Sequence, residues 1–237
     1  MTDFKTASEV RNRLAQLRSP QKAKDLGRFF KTGPGEYGEG DVFWGLTVPQ
    51  QRLVAKKFID LPLVEIKRLL GDKVHEVRLT SLLILVSKFQ KAGEKERQAI
   101  VDLYLKNTRF VNNWDLVDLS APRILGAYLL DRDRSLLYKL AKSKNLWEKR
   151  ISVLATFAFI REKQFRDSLK ISEILLNDNH DLIHKAVGWM LREVGKQDQA
   201  IEEKFLKKHY RKMPRTMLRY AIERFEEKKR QFYLKKN

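Results

Sequence analysis

Apolar residues recur along this chain at the three-to-four-residue spacing of amphipathic helices. Val10, Leu14, Leu17, Ala23, Leu26 and Phe30 mark a helical stretch over residues 2–31, broken at Ser19-Pro20. There Ser19 reads as an N-cap and Pro20 as the first residue of a new helix. A glycine-rich loop follows over residues 33–41. It lacks the lysine and the adjacent hydroxyl that complete a P-loop, so it reads as a connection. From Thr47, a plausible cap ahead of Pro49, the pattern is helix after helix. Short polar breaks separate them at Lys91-Ala92-Gly93, Lys106-Asn107-Thr108 and Leu176-Asn177-Asp178-Asn179. No alternating run is long enough for a strand. The pattern predicts an all-α fold in a single domain over residues 1–237.

The helices repeat. Windows that start at Val77, Val117, Lys149, His184 and Leu218 align, each with a charged second residue followed by small or apolar ones. These second residues are Arg78, Asp118, Arg150, Lys185 and Arg219, spaced 40, 32, 35 and 34 residues apart. That is the period of a two-helix HEAT-type repeat, which stacks into a solenoid with the second helix of each pair on its concave surface. Four of the five are cations, which would form a basic ladder. The exception is Asp118.

Charge makes that exception chemical. The chain carries a formal net charge of +19. Residues 204–237 hold 13 Lys or Arg against 3 Glu, a net +10. Such an excess points to a polyanion, nucleic acid first and an acidic membrane surface second. A cation ladder would follow phosphates and make binding salt-dependent. An anion on the same track weakens binding, which makes Asp118 a candidate for chemistry. Trp114 lies four residues before it, on the same helical face.

Other classes drop out. With no cysteine in 237 residues there is no disulfide, thiolate zinc site or iron–sulfur cluster, and a reducing cytoplasm is the expected compartment. The longest apolar run, residues 82–86, is far too short for a transmembrane helix, and residues 1–7 have no secretory core. His180 and His184 have metal-compatible spacing, but no glutamate lies between them and no third ligand is evident. No metal or cofactor is expected. Trp44 and Trp147 read as core or rim, and Asp115 as structural, paired with Arg123 or a backbone N–H. On residues alone, an enzyme acting on DNA, a non-catalytic DNA-binding protein and a protein scaffold all stay open.

Three motifs narrow the choice: Asn113-Trp114-Asp115-Leu116-Val117-Asp118, Leu146-Trp147-Glu148-Lys149-Arg150, and residues 185–193 around Gly188-Trp189. In order and spacing they resemble the AlkD family of DNA alkylation-repair glycosylases, over about residues 20–225. The resemblance implies a HEAT-like solenoid that holds double-stranded DNA as a monomer. It also implies hydrolysis of the N-glycosidic bond of N3- and N7-alkylated purines, a step of base excision repair. The family's catalytic carboxylate matches Asp118, its two tryptophans match Trp114 and Trp189, and its phosphate-contacting arginine matches Arg150. Its N-terminal tyrosine matches Phe29, which has no hydroxyl. With Lys185, Arg78 and Arg219, these residues make up the expected catalytic and DNA-binding set.

Overall fold

The structure, a computed structural model that describes residues 5–235, divides into two compact units between Ser120 and Ala121. The first holds α1 (Ala7–Ala15), α2 (Pro20–Phe29), α3 (Val48–Lys57), α4 (Leu63–Leu70), α5 (His75–Lys91), α6 (Glu94–Lys106) and α7 (Trp114–Ser120). The second opens with a π-helical turn (Pro122–Gly126). It continues with α8 (Ser135–Ala141), α9 (Leu146–Arg161), α10 (Arg166–Ile174), α11 (Asp181–Gln197), α12 (Gln199–His209), α13 (Arg215–Ala221) and α14 (Glu227–Leu234). No strand occurs among the described residues. One parallel bridge, Val42 to Val74, ties the loop after α2 to the start of α5.

The helix boundaries follow the local chemistry. Ser19 and Thr47 are the N-caps of α2 and α3, with prolines just inside both helices. The three polar breaks fall between α5 and α6, after α6, and between α10 and α11. The aligned charged residues are the fourth residue of α5 and the fifth of α7, α9, α11 and α13. Each marks the second helix of a pair, so the all-α repeat is the one the spacing predicts. Within the units, α5 packs on α7, α9 on α11, and α11 on α13.

In the first unit α5 is the centre. It is buried nearly all round, with Val77, Leu79 and residues 82–86 in the core, because α3, α4, α6 and α7 all pack against it. Each such side chain contributes about 1.5–3 kcal/mol on burial. The second unit fastens its helices by close backbone approach. A Cβ on Gly188 of α11 would lie 2.5 Å from the Met217 carbonyl of α13, and one on Gly126 would lie 2.2 Å from the Ala155 carbonyl of α9.

Candidate active site

The first unit builds its candidate site around the start of α7. Asn113, fully buried, caps the helix: its Oδ1 accepts from Trp114 N at 2.8 Å and its carbonyl from Val117 N at 3.2 Å. Asp115, Leu116, Val117 and Ser120 are buried, whereas Trp114, Asp118 and Leu119 are half-buried. Trp114 and Asp118, one turn apart, therefore lie on the side of α7 that the core leaves open. The phenol of buried Tyr104, which shares a hydrogen bond of 3.0 Å with Ser120 Oγ, is pushed up by burial and, additionally, by the charge of Asp118.

Trp114 is held from behind by an aromatic stack. Its ring lies 5.1 Å from Phe30 at 19°, Phe30 lies 5.1 Å from Phe43 at 17°, and Phe43 lies 4.6 Å from His75 at 24°. Phe29 meets Trp114 edge-on at 5.9 Å and is itself 64% exposed. The two adjacent phenylalanines at the end of α2 thus divide the work, Phe30 inside the stack and Phe29 facing solvent.

Beneath the stack lies a buried charge chain. His75 Nε2 donates to Asp115 at 2.8 Å and Nδ1 to Asp41 at 3.2 Å. Arg78 donates from Nη2 to the other Asp41 oxygen at 2.6 Å, and Asn113 Nδ2 donates to Asp41 Oδ2 at 3.3 Å. Burial favours neutral His75, but the Asp115 charge and the bonds to Asp115 and Asp41 outweigh it and raise the imidazole to about 9, against the opposing charge of Arg78. Burial likewise opposes a charged Asp41, yet His75 and Arg78 hold it below the usual carboxylate range. Each of the two cations and two anions thus has an oppositely charged partner, which is what makes such a cluster tolerable in a core. The loop ahead of α3 is pinned too: the Glu76 carboxylate accepts from the N–H groups of Trp44, Gly45 and Leu46 at 2.7–3.1 Å. Gly45 is at φ +83°, and a Cβ there would lie 2.2 Å from the Ser19 carbonyl.

The predicted ladder needs correction at two rungs. Arg78 is 4% exposed, and besides Asp41 it donates to the carbonyls of Asp72 and Lys73 at 3.0 and 3.2 Å. Arg150 is 5% exposed, and its Nη1 donates to the Leu182 carbonyl at 2.6 Å, tying α9 to α11. A guanidinium committed to carbonyls inside the fold satisfies backbone acceptors that would otherwise be buried unpaired, and it is not an open phosphate rung. Lys185 is half-exposed and pairs with Asp181 at 2.7 Å, one turn earlier. Arg219 is exposed with no ion pair among the described residues. Trp189, half-buried on α11, donates from Nε1 to Glu193 at 3.0 Å, with Phe157 6.0 Å away.

The remaining expectations divide. Trp44 and Trp147 are buried, Trp44 beneath the guanidinium of Arg18 at 3.6 Å. Asp115 is structural, bonded to the Leu116 N–H at 2.9 Å as well as to His75. His180 and His184 are local fasteners: His180 Nδ1 accepts from Leu182 N at 3.1 Å as the cap of α11, and His184 Nε2 meets the Asp178 carbonyl at 2.5 Å. No cluster that could hold a metal occurs among the described residues. Sequence reasoning missed Asp41 and His75, read Phe30 only as an apolar helix position and gave Asn113 no role beyond its motif. The four fall in four segments between residues 30 and 113, and no periodicity links them.

What fold and site define together is an all-α helical-repeat protein with an aromatic–carboxylate pair on the open side of one helix. A family profile described as DNA alkylation repair enzyme matches residues 10–225, and the chain belongs to that family. A solved structure described as a predicted DNA alkylation repair enzyme from Enterococcus faecalis has the same fold. It is 17% identical with a TM-score of 0.70, over 89% of this chain and 97% of that one. No curated protein matches the chain.

Proposed function

We propose that this chain is a monofunctional DNA glycosylase that hydrolyses the N-glycosidic bond of N3- and N7-alkylated purines in double-stranded DNA. The observation that carries the reading is the burial pattern of α7 in a DNA alkylation repair family member: the helix buries Asp115, Leu116 and Val117 and leaves Trp114 and Asp118 partly open. Alkylation at N3 or N7 makes the purine cationic and a good leaving group. As the base departs, positive charge develops on the sugar. An ionised Asp118 near that sugar stabilises the charge and orients or deprotonates the attacking water. The Trp114 indole adds a cation–π component of roughly 0.5–2 kcal/mol. The resemblance gives Trp189 a parallel aromatic role, and Phe29, Lys185 and Arg219 are DNA contacts in this reading. Because Trp114 leans on Phe30 and is capped by Asn113, its ring is fixed before substrate arrives, which lowers the cost of positioning.

The test is release of free 7-methylguanine from methylated duplex DNA by the wild type and by Asp118→Asn, side by side. The expected result is release by the wild type and a loss of about 10²–10³-fold in the variant, the range for removing one preorganised electrostatic group. No release by the wild type above background overturns the enzyme reading and leaves a non-catalytic DNA-binding protein. Full activity in Asp118→Asn overturns the mechanism and leaves the enzyme standing.

A further inference from the structure

Helix α12 has two unlike sides. Glu202, Phe205 and Leu206 are buried. Lys204, Lys207 and Lys208 follow at i, i+3 and i+4, all exposed, on the opposite side, and exposed Arg211 lies in the turn just past the helix end at His209. Like charges at i, i+4 destabilise a helix by a few tenths of a kcal/mol per pair. This stripe has one such pair within the helix, Lys204 with Lys208. Of the four, only Lys208 has an ion-pair partner among the described residues, Glu173 at 2.9 Å. Glu203, the nearest carboxylate on α12, is taken by Lys229 of α14. The helix dipole favours Lys207 and Lys208 in the last turn but does not account for Lys204 or Arg211. A shallow hollow of about 540 Å³ lies along Glu203, Lys204, Lys207 and Lys208.

The stripe ends at an aromatic platform. Arg211 Nε donates to the Tyr210 hydroxyl at 3.1 Å, and Tyr210 lies 6.3 Å from Phe232 of α14. Phe232 is 62% exposed in a helix that otherwise turns charge to solvent. That exposure is not a loose end. Tyr233 beside it is 3% exposed and packs edge-on against Tyr210 at 5.3 Å, and Arg215 donates to the Leu234 carbonyl at 2.6 Å. Helix α14 is therefore docked by one aromatic and presents the next one outward. It also lies beyond residue 225, where the family match ends.

We propose that the α12 stripe and the Tyr210–Phe232 platform form a second nucleic-acid surface that binds single-stranded DNA. Unneutralised cations in a row meet successive phosphates. An exposed ring beside them gains nothing from a duplex, whose bases are stacked and paired, but stacks on an unpaired base. A single strand satisfies both halves of the feature at once. The surface belongs to the second unit and the Trp114–Asp118 pair to the first, and the proposal stands whether or not the chain releases bases.

The experiment measures binding of an undamaged single-stranded oligonucleotide to the full chain by fluorescence anisotropy across a salt series. Compared are the wild type, Lys204→Gln/Lys207→Gln/Arg211→Gln and Phe232→Ala. For the triple variant, the slope of log affinity against log salt is expected to fall by about 2, at roughly 0.7 per lost phosphate contact. Phe232→Ala is expected to weaken single-strand binding by about tenfold while leaving binding to a duplex of the same length unchanged. Base release from saturating methylated duplex is expected to be the same in the triple variant as in the wild type. An unchanged salt slope in the triple variant overturns the proposal, as does an equal loss on single strand and duplex in Phe232→Ala. Wild-type binding to phosphatidylglycerol vesicles with none to the oligonucleotide also overturns it, in favour of a lipid surface.

Discussion

Each half of the molecule buries a group that titrates near 9, and the two do so for opposite reasons. In the first unit His75 is raised to about 9 because its neighbours are anions, which keeps it charged at neutral pH. In the second unit Glu202 is raised to about 9 mainly because burial strips its water, with Glu203 adding repulsion and Arg192 opposing, which keeps it neutral. His75 donates two hydrogen bonds to carboxylates, whereas Glu202 Oε1 is buried with no hydrogen-bond partner. One burial is fully compensated and the other is not. The first holds the candidate site in shape; the second lies under the basic stripe of α12 and costs stability.

The largest effect should come from removing the compensation. His75→Ala leaves Asp115 and Asp41 buried, with Arg78 still paired to Asp41. A loss of about 3–5 kcal/mol in unfolding free energy is expected, the range for breaking a buried pair from one side. The pH dependence has a definite sign. A histidine raised in the folded state contributes stability that is complete below its unfolded value of 6.5 and is lost as pH rises through about 9. The groups facing it are Asp115, Asp41 and Arg78. Denaturant melts of the wild type between pH 6.5 and 9 should therefore lose about 3 kcal/mol that His75→Ala does not lose. An equal loss in the wild type and in His75→Ala across that range would show that His75 is neutral in the fold.

In the second unit the opposite substitution should help. Glu202 has a folded value above its unfolded one, so its contribution is complete below the ordinary carboxylate range and is lost as pH rises toward 9. At neutral pH the unfolded chain ionises this group and the folded chain does not. Glu202→Gln removes that difference and is expected to stabilise the protein by about 1–3 kcal/mol at pH 7, with no gain at pH 4. Equal stability of variant and wild type at both pH values would mean that Glu202 is ionised in the fold and has found a partner.

The same contrast explains what was legible beforehand. Helix phase was readable because burial imposes a period on the chain: Trp114 and Asp118 fall on the open side of α7, as their four-residue spacing requires. The repeat was readable because each second helix carries its charged residue at the same depth. What a charge does at that depth was not readable. Arg78 and Arg219 occupy equivalent positions, yet the first is inside, held by Asp41, and the second is exposed. The difference depends on a loop residue 37 positions away, and nothing local in the sequence encodes it. The His75 chain escaped notice for the same reason, since Asp41 ends a loop that reads as a plain connection.

The smallest effects should separate the two ways the helices are fastened. In the second unit α11 meets α13 through Gly188, where a Cβ would lie 2.5 Å from the Met217 carbonyl and 2.5 Å from Tyr220 Cβ. Neither the backbone nor a Cβ can swing aside, so Gly188→Ala must push the helices apart, at a cost of about 1–3 kcal/mol. In the first unit Gly71 ends α4 at φ −84°, and its nearest atom to an added Cβ is the Arg68 carbonyl oxygen at 3.6 Å, an ordinary contact. There alanine also restricts the unfolded chain, so Gly71→Ala is expected to be neutral or to gain up to about 1 kcal/mol. Thermal melts of the two variants at one pH should move in opposite directions or leave Gly71→Ala unmoved. If Gly188→Ala melts with the wild type, α11 and α13 are not held at glycine distance, and Tyr220 is free to sit elsewhere than against Gly188.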